Sequence, residues 1–427
     1  MNVLTLSWRN MWRNKRRTLI TIASVSSALF FALIMRAFQE GTYDRAIYNY
    51  VHSFSGHVQI HANGYWDEQV LEHSFVMNDS LLSVLKGITE VEKIIPRLHS
   101  FAFASSEYLT KAAQVMGVNP EQDNMQSNIS NNVICGSFLS SSDTAVLVSE
   151  GLAEYLTIVR RDTTITETEN GNDTLISLRM VKDSIVLISQ GMYGYSTNGV
   201  YPVKGIISYP DPEMNSQVIY MPLGLAQNFF LAENRVTSIS LILSDKEYLH
   251  TTQQVLKDTL DMDKYEVMSW QEMNMELVQQ IETDRAGGYV MIFILYLIIG
   301  FGIFGTVVMM TAERKREFGI MIALGMRKNR LMYRFCVEMV YMGIIGVVGG
   351  SLLAVPVLLY FFYNPVRFSG ELAQMMKNYG FEPILPVSFD ISLFVDHGLI
   401  VLALFFVSAL YTLGAIRKLE VIQAIRN

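Results

Sequence analysis

The chain has 427 residues, half of them hydrophobic and only 17% charged, with a net charge of −7 and a positive mean hydropathy. This balance is unlike that of a soluble globular protein and suggests a membrane protein with a sizeable polar domain. The acidic excess argues against nucleic acid as a partner.

Residues 1–17 carry Arg9, Arg13, Lys15, Arg16 and Arg17 and read as a cytoplasmic N-terminal segment. The first apolar run, Thr18 to Phe38, matches the roughly 20 residues needed to span a bilayer. It is too long for the apolar core of a signal peptide, and QEGTYDR follows it where a small-residue cleavage site would stand, so 18–38 is expected to be a retained first span.

Residues 39–286 are expected outside the membrane. Within them, 41–285 hold 15 basic against 31 acidic residues, as suits a domain away from anionic headgroups. The edges, YDRAIYNYVHSF and Trp270 to Arg285, read as stalk helices, the latter running unbroken into the second span. Alternating stretches between them, among them HVQIHA, AQVMGV, SIVLIS and SISLILS, read as strands, and SLLSVLKGI and GLAEYLTI as helices. The domain is therefore α+β. Asn170-Gly171 marks a hairpin turn. Gln190 to Gly199 reads as a glycine-rich loop with Tyr193 and Tyr195 near its tip. His57 and His61 lie in a predicted strand, about 13 Å apart and too far to chelate one ion, so no metal is expected.

A second span is expected at 287–311. Its GFGIFG matches a dinucleotide-binding pattern, but inside a membrane span that context is wrong, and close helix packing is the better reading. The loop 312–334 holds Arg314, Lys315, Arg316, Arg327, Lys328, Arg330 and Arg334. Phe318, Met321, Ile322 and Gly325 recur there at helical spacing, with Gly325 placed to end the helix. An apolar helical face with a basic collar calls for a protein groove or a membrane surface to cover it. A third span at 335–363 has a small-residue face of Gly343, Gly346, Gly349 and Gly350. Its Glu338 is expected to pair with Arg334. The outer loop 364–392 has only Arg367 and Lys377 as basic residues; a fourth span follows at 393–416 and a tail at 417–427. Asp396, at the outer edge of the fourth span, admits a functional or a structural reading. The basic residues place both termini and 312–334 in the cytoplasm. Cys135 and Cys336 then lie on opposite sides and cannot pair. GxSxG, HExxH, CxxC and Gly-Lys are all absent, so no catalytic residue is nominated, and any ATP is expected on another polypeptide.

Glu313-Arg314, Glu317-Phe318-Gly319 and Ala323-Leu324-Gly325 resemble the stretch between the second and third spans of FtsX-like, MacB-type ABC permeases of the mechanotransmission class (type VII). SWRNMWRNKRRTLIT resembles that family's amphipathic N-terminal helix. AIRKLEVIQAIR resembles its tail, with the usual proline absent around Val421. The resemblance implies a non-enzymatic permease subunit of the inner membrane with a periplasmic domain, whose coupling helix docks on a cytoplasmic ABC ATPase dimer that binds ATP and Mg. Arg314, Arg316, Glu317, Phe318, Ile320, Met321, Leu324, Gly325 and Met326 would form that coupling surface, and the chain itself would hold no cofactor. A second permease subunit, identical or homologous, is implied, with the lipid bilayer and a periplasmic chaperone or adaptor as further partners.

SGHVQIHANGY, VLVSEGLAEYLTI and VIYMPLGLAQNFF follow the order of the lipoprotein-releasing LolC/LolE group. There, Gln190, Met192, Tyr193 and Tyr195 would fall in a chaperone-recruiting hook, though the hook's prolines are missing here. Phe31, Met35, Phe38, Ile294, Ile298 and Phe301 would line a cleft for acyl chains, with ordinary packing as the competing reading. A MacB-like exporter subunit, an FtsX-like permease controlling cell-wall hydrolases and a receptor unrelated to ABC transport are the alternatives.

Overall fold

The computed structural model describes residues 3–168, 171–209, 212–378 and 383–420. The chain divides into two compact units, Met1–Arg45 with Gln279–Arg367 and Ile384–Asn427, and Ala46–Val278 with Phe368–Pro383.

Among the described residues, four helices are long and apolar enough to cross a membrane: Thr18–Tyr50, Met275–Glu313, Lys328–Tyr363 and Ile391–Arg417. They extend past the apolar runs because charged and polar residues prolong the same helical pattern. The stalk before the second helix is interrupted, however. Trp270–Met273 forms a separate turn, Asn274 leaves helical geometry (φ −129°, ψ 65°), and its side chain caps the Leu277 N–H at 3.0 Å. The sequence contains no Gly or Pro there, and the break comes from an Asn that makes a better cap than helix interior.

Glycines set how closely these helices approach. A Cβ on Gly346 would stand 2.7 Å from Val25, and one on Gly350 2.8 Å from the Ser26 carbonyl. Ser26 Oγ donates to the Gly346 carbonyl at 2.9 Å. Gly343 packs in the same way on Leu402 and Phe405. Of the GFGIFG glycines, Gly300 faces Leu404, 3.5 Å from a Cβ placed there, whereas a Cβ on Gly302 or Gly305 would meet nothing within 4 Å. The outer loop carries a short ladder, Val366–Arg367 with Ile384–Leu385, and a helix, Gly370–Asn378.

The second unit is built on a ten-stranded mixed sheet. Its order runs Tyr265–Ser269, Val58–Ala62, Ser238–Leu243, Val91–Ser106, Leu109–Val118, Val218–Pro222, Val146–Ser149, Ser196–Ile207 and Val133–Gly136, with Ser184–Gln190 paired to Ser196–Ile207 and Val91–Ser106. Most neighbours are antiparallel; Leu109–Val118 with Val218–Pro222 and Val146–Ser149 with Ser196–Ile207 are parallel. The alternating segments pack their inward side chains into three apolar clusters. A polar knot lies among them. Fully buried Arg97 donates to Asp123 at 2.7 Å, and the Tyr220 hydroxyl donates to the other carboxylate oxygen at 2.5 Å. Burial first, and Asp123 second, hold the Tyr220 phenol well above its ordinary pKa.

His61 and His57 make hydrogen bonds inside the outer unit. His61 Nε2 lies 2.7 Å from Gln59 Oε1 and its Nδ1 3.6 Å from Glu266. His57 Nδ1 accepts from the Leu243 N–H at 3.2 Å. Burial pushes the His57 pKa down to about 4 and that of His99 to about 3. A separate hairpin pairs Val159–Thr168 with Gly171–Met180, and Asn170 of its expected turn lies outside the described residues.

Candidate functional site: a clamped knuckle

The helix Met275–Glu313 ends where Arg314 leaves helical geometry, and a second helix, Lys315–Ala323, starts at once. It stops in a tight closure. The Gly325 N–H donates to Ile322 O at 3.0 Å and the Met326 N–H to Met321 O at 3.0 Å, with Gly325 at φ +96°. This six-to-one and five-to-two pattern requires a left-handed residue, which is why glycine stands there.

The inward face buries Phe318, whose ring meets Phe335 edge-on at 6.5 Å, with Met321, Ile322 and Met326 packed alongside. The outward face leaves Leu324 83% exposed, with Ile320 and Arg316 also exposed. The base of the helix is clamped by charge. Arg314 Nη1 lies 2.9 Å from both carboxylate oxygens of Glu338, and both side chains are buried. Arg314 Nε lies 3.7 Å from Glu317, and Glu317 is also gripped by Arg13 of the N-terminal segment. Glu338 was expected to face Arg334. The structure gives it Arg314, while Arg334 Nη1 contacts Met321 Sδ at 3.8 Å and its carbonyl accepts from Ser7 Oγ at 3.1 Å. Lys328, just beyond the knuckle, donates to Arg417 O and Leu419 O at 3.0 Å each, tying the end of the fourth helix. A cavity of about 300 Å³ opens between Arg13, Glu317, Phe318 and Arg334.

Nothing in the sequence pattern marks Arg13 as the partner of Glu317, 304 residues away. Glu338 is the one advance signal of the clamp, as an acid within an apolar run that requires a cation.

The other nominated residues are less assembled. The loop between Ser184–Gln190 and Ser196–Ile207 is only Gly191–Tyr195, because Ser196 to Gly199 already pair in the sheet. The Gly191 N–H donates to Tyr195 O at 2.8 Å, the Gln190 amide to Gly194 O at 3.4 Å, and Ser74 Oγ donates to Met192 Sδ at 3.5 Å. Tyr193 and Tyr195 project, 70% and 68% exposed. Of the six cleft residues, Met35 and Phe38 pack inside the bundle, Phe38 against Phe361 at 5.6 Å. Phe31, Ile294, Ile298 and Phe301 are exposed on the helix surfaces.

The described residues thus comprise a unit of four long apolar helices with a clamped knuckle and a large α+β unit. Residues 289–421 match the FtsX-like permease C-terminal family. Over that stretch the chain resembles the FtsX-like permeases, and the relatives it matches are of the MacB type. It is 20% identical over 342 residues to the macrolide export ATP-binding/permease protein MacB of Bartonella henselae, covering 76% of this chain and 51% of that protein. It is 25% identical over 145 residues to MacB of Aggregatibacter actinomycetemcomitans, covering 33% of this chain and 22% of the relative. The chain thus spans about half the length of the first relative and less of the second. Among solved structures, the extracellular domain of the noncanonic ABC-type transporter YknZ from Gram-positive bacteria aligns over 50% of this chain and 99% of that chain, at 14% identity and a TM-score of 0.31. The periplasmic region of MacB from Actinobacillus actinomycetemcomitans aligns over 54% and 95%, with the same identity and TM-score.

Proposed function

We propose that this permease couples ATP hydrolysis on a separate cytoplasmic ABC ATPase dimer, which binds ATP and Mg, to work done outside the inner membrane. The observation that carries this reading is Leu324. A leucine 83% exposed at the tip of a helix anchored by the buried Arg314–Glu338 pair is a contact presented to a protein groove rather than a packing residue. Arg316, Ile320 and Leu324 would meet the ATPase, while Arg314, Glu317, Phe318, Met321, Gly325 and Met326 hold the helix in place. A second permease subunit, identical or homologous, would complete the pair.

Two cargoes fit this machine. Release of lipoproteins from the inner membrane, as in LolC/LolE, is supported by the order of motifs along the outer domain, with Tyr193 and Tyr195 meeting a periplasmic chaperone. A MacB-like exporter subunit with an adaptor partner is supported by the MacB relative that aligns over 76% of this chain. The first test is Leu324→Asp in the full chain. ATPase co-purification and ATP-driven release should fall together, while the outer unit melts unchanged. Retention of both by the variant would overturn the coupling role. Acylated proteins in the wild-type pull-down favour the release reading, and an adaptor favours the exporter reading.

A further inference from the structure

A second cavity, about 1090 Å³, lies within the membrane unit between the second and fourth long helices. Phe293, Leu297, Phe301 and Phe304 form one wall, and Ile400 and Leu404 stand in the other. Its lining on the fourth helix runs from Leu393 to Ser408, about 22 Å at 1.5 Å per residue. That is a large part of the roughly 30 Å hydrocarbon thickness.

One end of the cavity is charged. Arg36, Asp396 and His397 line it together with Tyr289. Arg36 donates from Nη2 to Glu40 at 2.5 Å and from Nη1 to Gln39 at 2.8 Å, and its guanidinium lies 4.9 Å over the Tyr289 ring. His397 Nδ1 is engaged by the Tyr296 hydroxyl at 2.6 Å. Asp396 is exposed and makes no ion pair among the described residues. A carboxylate at the rim of an apolar cavity is costly unless a cation comes to it. Asp396 is the sixth residue of its helix, and that helix is 27 residues long, so the carboxylate stands near the headgroup boundary.

We infer that this cavity is a binding site for a bilayer glycerophospholipid with a primary-amine headgroup. Its ammonium pairs with Asp396, its phosphate lies on the Arg36 side, and an acyl chain runs along the Phe293–Phe304 wall. At that end Asp396 has no ion pair among the described residues while Arg36 already holds Glu40, so the unmet charge is a carboxylate that an ammonium headgroup would answer. A glycerol-headed anionic lipid would leave Asp396 without its cation. The inference does not depend on which cargo the permease moves.

The experiment is native mass spectrometry of the full chain released from nanodiscs of chain-matched phosphatidylethanolamine and phosphatidylglycerol in equal parts. The wild type should retain the amine lipid preferentially. Asp396→Asn should lose that preference by roughly tenfold while Asp396→Glu keeps it. Leu404→Trp, which fills the cavity, should lower total retained lipid without changing the melting temperature. Equal retention of both lipids by the wild type, or an Asp396→Asn variant as selective as the wild type, would overturn the proposal and leave only a nonspecific lipid annulus. If Asp396→Asn does not fold, undiminished retention by the Leu404→Trp variant would overturn it independently.

Discussion

Arg314 and Glu338 show how one pair of side chains shapes a surface it does not reach. Their side chains are 7% and 2% exposed, so removing either charge takes from the other its close partner in a low-dielectric site, and leaves Arg314 the looser contact with Glu317 at 3.7 Å. Breaking a buried pair from one side costs about 3–5 kcal/mol, whereas replacing both partners by apolar groups is far milder. Glu338→Gln should therefore lower the melting temperature in detergent more than the double variant Arg314→Met with Glu338→Leu does. Equal melting of all three proteins would show that the clamp contributes nothing. Arg13 with Glu317 is different: both are about half exposed, and such a pair contributes less than about 1 kcal/mol. Its role is to orient the knuckle rather than to hold the bundle together.

At the scale of elements, glycine has opposite meanings at two places. On the third helix it permits contact with the first, because Val25, Ser26 and Leu29 fill the space a side chain would need. On the second helix Gly302 and Gly305 border open space. Gly350→Ala should thus destabilise the bundle by about 1–3 kcal/mol through overpacking. Gly302→Ala should be neutral or slightly stabilising, since alanine is the better helix former. Thermal unfolding in detergent separates the two, and a reversed order would contradict the packing described here. Glycines cluster in both helices, and only the neighbouring helix decides what each cluster does. The four long helices were legible because apolar length is a one-dimensional property. The Asn274 break and the five-residue hairpin at Gly191–Tyr195 were not, since each depends on a hydrogen bond that no periodicity announces. At the knuckle, the helix and its glycine stop could be read from spacing, while the partners of its charges come from segments hundreds of residues apart.

At the scale of the molecule, the outer unit is held together without a disulfide; both cysteines are free. Its α+β class was readable from alternating segments, but its strand order was not, because parallel crossovers and the buried Arg97–Asp123–Tyr220 knot are long-range choices. Its stability should depend on pH in a stated direction. The folded unit holds His57 and His99 with pKa values near 4 and 3, below the roughly 6.5 of an unfolded chain. The unfolded chain therefore binds more protons in acid, and stability is complete above pH 6.5 and falls as pH drops toward 4 and then 3. The slope is about 1.4 kcal/mol per pH unit for each histidine. Urea unfolding of residues 46–278 at pH 7 and pH 5.5, above most carboxylate titration, should show this loss, and His57→Gln with His99→Gln should remove it. A pH-independent wild type would mean that these histidines protonate while folded.

The first long helix runs from Lys15 to Tyr50 as 36 residues with no proline. At 1.5 Å per residue that is a rod of about 54 Å, some 24 Å longer than the hydrocarbon it crosses. No proline interrupts its hydrogen-bonded ladder between those ends. The second helix, by contrast, carries Gly302 and Gly305 where no side chain of this chain presses on them.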